Sequence, residues 1–317
     1  MYAIGIDLGG TNIATAVVNE KYEIVGSGHL PTNAGREAFE IAKDMAKTVE
    51  MAIEDAKISK ADVSWIGVGT PGAVDPDNGI IENANNLSFD NVPMVKYIEE
   101  LTGIKCYIAN DANAAAYGEF LAGAGKGLNS FIAVTLGTGI GGGIIIDGKI
   151  FTGSNYFGAE VGHTVIVFDG EHCSCGRDGC WEAYASATAL IRQTKAAMEK
   201  DKSSVMWELA PTLDDVGGRT AWDAWRKGDK SGTAVVEKYI EYVACGVVNL
   251  INTFQPDLIC IGGGISKEKD NLIVPLRKIV EKDRYTKNAK KQTEIKAAEL
   301  GNDAGIIGAA MLGKLYN

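Results

Sequence analysis

Two spacings of apolar residues alternate along the 317-residue chain, and they predict strands and helices in turn. Apolar runs that predict strands occupy residues 2–8, 13–18, 65–68, 104–109, 130–136 and 256–261. A helical stripe places apolar residues at positions 38, 41, 42, 45, 46, 49, 52, 53 and 56. Further helices are predicted from Asn110-Asp111 through Leu121, over 234–254 and over 306–315, the last capped by residues 301–305. Strands that alternate with helices favour an α/β architecture.

One combination of elements occurs twice. The strand at 2–8 ends in the turn 9–12 and the chain resumes as a strand at Ile13. The strand at 130–136 ends in the glycine-rich turn 137–143 and resumes at Ile144. We interpret this repetition as a duplicated domain core.

Composition narrows the classes of function. The length suits two domains, and a hydrophobic content of 46% provides ample cores. The formal charge of −10 argues against a nucleic-acid partner, and no apolar run reaches the length of a membrane span. The first residue leads directly into a strand, so no targeting peptide is expected. With cysteines that we expect to be reduced, this predicts a cytoplasmic protein.

Cysteine spacing gives the strongest chemical signal. Cys173, Cys175 and Cys180 lie within eight residues, and His163 lies ten residues before Cys173. Three thiolates and one imidazole suit a tetrahedral zinc ion, and four protein ligands would make that zinc structural. A disulfide or three free thiols is the alternative, but disulfide scaffolds are typical of short secreted chains. His172 competes for the fourth position, and loop geometry favours His163.

Two carboxylates flank this cysteine segment. Glu160 precedes His163 in Glu-Val-Gly-His, and Glu182 follows Cys180 by two residues. The alternative is that both are surface charges. Because the metal would hold the loop that carries them, we predict that they are the working groups of a built site.

Three glycine clusters, at 9–10, 137–143 and 262–264, each follow a predicted strand. Backbone N–H groups in such turns can hold a phosphate, although hairpin glycines are often purely structural. None of the clusters has the Gly-Lys-Ser/Thr ending of a P-loop. Residues 137–142 fit a dinucleotide fingerprint by letter, but a strand rather than a helix follows. With Asp7, Thr11 and Thr138 beside them, the clusters predict a nucleoside-triphosphate site.

Several of these segments together resemble the ROK family of repressors and sugar kinases over nearly the whole chain. The matching segments are Asp7–Asn12, Gly69–Gly72, Asn110–Asn113, Gly137–Gly141, Glu160–His163, Cys173–Glu182, Ile261–Gly264 and Asp303–Gly305. The resemblance implies the actin-like ATPase (ribonuclease H-like) fold, with two α/β domains that close over a cleft and a structural zinc loop. We expect a smaller domain at 1–112 plus about 304–317, and a larger one at 113–303 with the zinc loop and nucleotide site.

The resemblance also implies an ATP-dependent hexose kinase that uses Mg²⁺, first of all a glucokinase that makes glucose 6-phosphate. Kinases for N-acetylmannosamine, N-acetylglucosamine, fructose or allose remain alternatives, as does a non-catalytic sugar-responsive regulator. The repressors of the family carry an N-terminal helix-turn-helix that we do not see here. Trp181 and Asn85 stand where many members have leucine and proline, and both bear on the identity of the sugar. The implied partners are a sugar and ATP, in a homodimer or homotetramer.

Roles carry over from the family residue by residue. Asp111 is implied as the catalytic base; we expect the helix dipole to hold it ionised, and its local alternative is a helix N-cap. The implied sugar contacts are Gly72, Asn86, Asn110, Asp111, Glu160, His163 and Glu182. The implied ATP contacts are Asp7, Gly9, Gly10, Thr11, Asn12, Gly137, Thr138, Gly139, Gly262, Gly263 and Gly264, with Asp7 also holding magnesium directly or through water. The implied zinc ligands are His163, Cys173, Cys175 and Cys180.

Overall fold

A computed structural model describes residues 1–316 and has thirteen strands and eleven α-helices in that range. The strands are β1 (Tyr2–Leu8), β2 (Asn12–Asn19), β3 (Ile24–Pro31), β4 (Val63–Thr70), β5 (Ala73–Asp75), β6 (Ile80–Ala84), β7 (Phe89–Val92), β8 (Cys106–Asn110), β9 (Phe131–Leu136), β10 (Ile140–Ile146), β11 (Lys149–Phe151), β12 (Leu258–Gly262) and β13 (Glu294–Ala297). The helices are α1 (Ala38–Ala56), α2 (Met94–Thr102), α3 (Asp111–Ala122), α4 (Glu182–Ala185), α5 (Ala187–Lys200), α6 (Met206–Leu209), α7 (Thr220–Arg226), α8 (Lys230–Phe254), α9 (Asp270–Asp283), α10 (Asp303–Ala310) and α11 (Gly313–Tyr316).

Two five-stranded sheets repeat one topology. The first has the order β3-β2-β1-β4-β8 and the second the order β11-β10-β9-β12-β13. In each sheet three consecutive strands form one side, and two strands that follow helices complete the other. The duplicated core that the repeated strand–turn–strand pattern predicted is therefore confirmed at the level of topology. A third, antiparallel sheet of β5, β6 and β7 was not predicted, because its strands have only three to five residues.

The longest predicted apolar patterns match the structure closely. Helix α1 covers the stripe from Ala38 to Ala56, and its buried residues include Ile41, Met45 and Val49. The predicted last helix, 306–315, is wrong in its extent, because the structure has two helices there, α10 and α11. The chain tightens between them, where the Leu312 amide donates to the carbonyl only three residues back, at Ala309.

Helix α10 packs against β1, β4 and α3. Two glycines let its backbone approach the sheet: a Cβ on Gly5 would lie 2.0 Å from the Ile306 carbonyl oxygen, and one on Gly67 would lie 1.8 Å from that of Ala309. Because no other residue fits at such contacts, these glycines fix the C-terminal helix against the N-terminal strands.

The chain divides into two compact units. One contains Met1–Ala133, Gly143–Ala159 and the chain from Ala298 onward, and the other contains Val134–Gly142 and Glu160–Ala297. We call them unit 1 and unit 2; the domain bounds expected above stay a prediction. Within residues 1–316 no helix has the length and apolar character needed to cross a membrane.

Candidate functional site

Unit 1 places an amide and a carboxylate at the start of α3. Asn110 is the N-cap residue, and its Oδ1 accepts hydrogen bonds from the amides of Ala112 at 2.9 Å and Asn113 at 3.3 Å. Its Nδ2 donates to the Gly72 carbonyl at 3.1 Å. Asp111 is the first helical residue, so Asn110 has the capping role that we weighed for Asp111. The Asp111 carboxylate accepts from the Ala112 amide at 2.8 Å and keeps acceptor capacity for a substrate.

The carboxylates of Asp7 and Asp111 both have raised pKa values. Burial and, as the smaller cause, the negative charge of Asp111 together raise the pKa of Asp7 to about 6. Burial also raises the pKa of Asp111, while hydrogen bonds from Ala112 and Asn110 act in the opposite direction. The net shift of the Asp111 pKa is upward, and the expectation that the helix start holds this carboxylate ionised stays a prediction. The cost of partly removing this carboxylate from water outweighs the hydrogen bonds that it accepts.

Replacing Asp7 with asparagine is expected to raise the free energy of unfolding by about 2 kcal/mol at pH 8. The folded-state pKa of Asp7 is about 6, above its ordinary value of 3.8, so the wild-type protein loses stability as the pH rises through that interval. The variant lacks this loss. Chemical denaturation between pH 4.5 and 8 without magnesium should show a difference that grows with pH.

Asp75→Asn is the matched control in the same unit. Hydrogen bonds from Asn78 and Asp77 lower the pKa of Asp75, so its ionised form stabilises the folded state. This control variant should therefore be less stable than the wild type at pH 8, the opposite sign to Asp7→Asn. A stability difference for Asp7→Asn that does not change with pH would contradict the assignment.

The first glycine turn joins β1 to β2. The Gly9 amide donates to the Asn12 carbonyl at 2.9 Å, and the Thr32 hydroxyl donates to the Gly9 carbonyl at 2.6 Å. Asn86, in the one-turn helix after β6, lies against Gly10. The amides of Gly10 and Thr11 have no hydrogen-bond acceptor within residues 1–316. Two adjacent free N–H groups are the feature that a phosphate-binding turn requires.

The second glycine turn joins β9 to β10 and belongs to unit 2. The Gly137 amide donates to the Gly139 carbonyl at 3.0 Å, and the Ile140 amide donates to Glu182 Oε2 at 2.8 Å. A Cβ on Gly139 would lie 2.3 Å from that carboxylate oxygen, so a side chain at this position would displace the end of Glu182. The turn lines a cavity of about 410 Å³ together with Cys173, Ser174 and Glu182.

The third glycine cluster ends β12. Gly263 has a φ of 82°, and its carbonyl accepts from both the amide and the hydroxyl of Ser266. Gly262 is buried, whereas Gly263 and Gly264 are exposed. The cluster therefore offers open backbone at the end of β12, and its contact with a nucleotide stays a prediction.

The structure brings His163 together with Cys173, Cys175 and Cys180, whose ligand atoms all lie within 4.8 Å of one another. Cys175 Sγ is 3.7 Å from Cys180 Sγ, and Cys173 Sγ is 3.6 Å from His163 Nδ1. Ideal tetrahedral zinc would separate two sulfurs by about 3.8 Å, and sulfur from nitrogen by about 3.6 Å. The donor set therefore fits zinc in both identity and spacing.

Neither a disulfide nor His172 as the fourth ligand is supported by the structure. His172 Nδ1 lies 2.8 Å from Asp178 Oδ1, so its ring is engaged on the exposed side of the loop and is absent from the cluster. All six cysteines, which lie within the described part of the chain, are free thiols. The preference for His163 over His172 as fourth ligand agrees with this geometry.

Glu182 connects the cysteine cluster to the second glycine turn. Its Oε1 lies 3.7 Å from Cys173 Sγ and 3.4 Å from Ser174 Oγ, while its Oε2 holds the Ile140 amide. Glu160 is exposed and immediately precedes the short turn Val161–His163. The metal loop thus carries both carboxylates, as predicted, and Glu182 also contacts backbone that the sequence did not connect to it.

The start of α5 also reaches the second glycine turn, which sequence reasoning missed. The Ala187 amide donates to the Gly137 carbonyl at 2.8 Å, and Thr188 Oγ1 donates to the Thr138 carbonyl at 2.7 Å. Ser186 caps the helix by accepting from the Ala189 amide at 3.0 Å. The Ser-Ala-Thr segment after Glu182 carries a recognisable N-cap signal. Nothing in the local sequence, however, indicates that this helix start contacts Thr138, fifty residues earlier.

Comparison with known proteins gives concordant matches over nearly the full length of the chain. A family model described as the ROK family matches residues 3–315. The glucokinase of Thermotoga maritima is 36% identical over 310 residues, which cover 98% of this chain and 96% of that protein. The glucokinase of Halalkalibacterium halodurans is 37% identical, with coverage of 98% and 94%. A crystal structure of a ROK family glucokinase from Streptomyces griseus in complex with glucose and AMPPNP has a TM-score of 0.81 at 34% identity, with coverage of 98% and 99%.

Proposed function

Because the chain belongs to the ROK family, we propose that it is a glucokinase, which transfers the γ-phosphoryl group of ATP to the 6-hydroxyl of D-glucose. It has the actin-like ATPase fold of that family and is a sugar phosphotransferase. The observation that carries the proposal is the carboxylate of Asp111, with free acceptor capacity at the start of α3, in a chain so similar to glucokinases.

Asp111 acts as the general base. As the sugar oxygen forms its bond to the γ-phosphorus, the bond from that phosphorus to the β,γ-bridging oxygen breaks, and the hydroxyl proton passes to Asp111. The raised pKa of Asp111 supports this role, because a base works best when its pKa approaches the working pH. Asn110 caps α3 and thereby holds the following carboxylate in place.

The remaining contacts of the sugar and of ATP follow the family pattern. We assign the sugar hydroxyls to Gly72, Asn86, Asn110, Glu160, His163 and Glu182, whose groups form directed hydrogen bonds. We assign the phosphates to the turns Gly9–Asn12 and Gly137–Gly139, whose free N–H groups suit an anion. Gly262, Gly263 and Gly264 would lie beside the adenosine.

Two metal ions belong to the proposal. Asp7 would hold Mg²⁺, directly or through water, and its buried carboxylate next to the charge of Asp111 suits a cation. When bound, Mg²⁺ neutralises the charge on the transferring phosphates. His163, Cys173, Cys175 and Cys180 would hold a structural zinc ion, because four protein ligands leave no position for a substrate.

The partners that we propose are a hexose and ATP, and the AMPPNP complex of the Streptomyces griseus relative supports ATP as phosphoryl donor. Assembly into a homodimer or homotetramer, and location in the cytoplasm, remain predictions. Sedimentation equilibrium of the purified chain would decide the first of these.

The choice of sugar is tested by ADP release with ATP and magnesium against glucose, mannose, fructose, allose, N-acetylglucosamine and N-acetylmannosamine. We expect glucose to give the largest kcat/KM, by at least about 10-fold over each of the others. If a different sugar gave the largest kcat/KM, the assignment as a glucokinase would be wrong, but the assignment as a sugar kinase would stand. Absence of turnover with every sugar, in protein that still binds glucose, would favour the sugar-responsive regulator.

A further inference from the structure

We infer that Thr188, at the start of α5, is a positioning residue that orients the phosphate-binding turn Gly137–Gly139. This inference rests on the proposed function, because it concerns how the chain holds the phosphates of ATP. The family resemblance gave Thr188 no role. It emerges from the hydrogen bonds of the turn, all of which lie within unit 2.

Each carbonyl of this turn is occupied. The Gly137 carbonyl accepts from the Ala187 amide, the Thr138 carbonyl from the Thr188 hydroxyl, and the Gly139 carbonyl from the Gly137 amide. The partners of the first two carbonyls both come from the first turn of α5. The start of one helix therefore fixes two successive peptide planes of the glycine turn.

Fixing the carbonyls also fixes the amides. All peptide bonds described are trans, and in a planar trans peptide the C=O and the following N–H point in opposite directions. Because the carbonyls of Gly137 and Thr138 point toward α5, the N–H groups of Thr138 and Gly139 point away from it. Neither N–H has an acceptor within residues 1–316, so both remain available to an anion.

Thr188 is the side-chain component of this arrangement. The glycines on both sides of Thr138 give the turn little intrinsic preference, so the peptide between Thr138 and Gly139 could rotate freely. A threonine inside a helix commonly donates to its own helix, as Thr253 does to Asn249 at 2.8 Å. Thr188 donates instead across to Thr138, at 2.7 Å. Loss of that hydroxyl would release the peptide and misdirect the Gly139 amide.

Thr188→Val keeps the shape of the side chain and removes the donor. We expect it to raise KM for ATP and the dissociation constant for AMPPNP about 3- to 10-fold, the range for one net hydrogen bond. KM for glucose and the melting temperature should stay close to the wild-type values. Thr188→Ser retains the donor and should restore nucleotide affinity. Thr253→Val, the same substitution where the hydroxyl bonds within its own helix, should leave both constants unchanged.

The outcomes separate this inference from the proposed function. If the wild-type chain phosphorylates no hexose, the proposed function fails, and AMPPNP titration still compares the Thr188 variants. If the wild type is active and Thr188→Val binds nucleotide as tightly, the positioning role is wrong. The positioning role is also wrong if Thr188→Val weakens glucose binding and nucleotide binding to the same degree, or if Thr188→Ser does not restore nucleotide affinity. In either case a general packing defect would explain the loss.

Discussion

Asp111→Asn is expected to reduce hexose-dependent ADP release by roughly 10²- to 10⁴-fold, the usual contribution of a general base. Asparagine is nearly isosteric with aspartate but cannot accept the proton that leaves the sugar hydroxyl. Its amide oxygen can still accept the hydrogen bond from the Ala112 amide, so the start of α3 should stay intact. Initial-rate kinetics with saturating ATP and glucose measure the loss, and calorimetric titration with glucose should give a dissociation constant within a few-fold of wild type.

Asp270→Asn is the matched control, because Asp270 is also the first residue of a helix, α9, and is exposed. It should keep wild-type turnover. Full activity in Asp111→Asn would remove Asp111 from catalysis. Loss of activity with an equal loss of glucose affinity would assign Asp111 to binding alone.

The sequence determined the parts of the fold whose signals are long and local. The apolar stripe of α1 spans five helical turns, so its bounds follow from the sequence alone. The repeated strand and glycine turn predicted two sheets of one topology. By contrast, the short strands β5 to β7 carry polar residues such as Asn83 and Asp90, and their pairing depends on partners rather than on pattern.

The candidate site divides in the same way. Cysteine spacing predicted the metal cluster because its three thiols lie close in sequence. The capping role of Asn110 could not be separated from that of Asp111, since adjacent polar residues both suit a helix start. The contacts of Thr188 and Glu182 with the second glycine turn span fifty and forty-two residues, and no local signal reports such distances.

Removal of zinc is expected to weaken both stability and sugar binding. A site that is occupied far above its dissociation constant adds about 4 kcal/mol to the folded state, so Cys180→Ser should lower the melting temperature by roughly 10 °C. Cys180 is fully buried, and its Sγ lies 3.7 Å from that of Cys175, so the serine would leave the cluster without one thiolate. Glucose affinity should fall about 10- to 100-fold, the range for disturbed support around a metal site.

The effect on sugar affinity distinguishes a zinc ion that supports the sugar site from one that only stabilises the fold. Glu182 contacts Cys173 Sγ with one carboxylate oxygen and the Ile140 amide with the other. A loosened cysteine loop would therefore release both the glycine turn and the carboxylate that we propose as a sugar contact. Cys245→Ser removes an exposed thiol outside the cluster and should change neither zinc content nor affinity. Elemental analysis should find one zinc per chain in the wild type and in Cys245→Ser, and little in Cys180→Ser. Fully active protein that contains no zinc would refute the proposed zinc site. A Cys180→Ser variant with a lowered melting temperature but normal glucose affinity would refute the link between zinc and sugar binding.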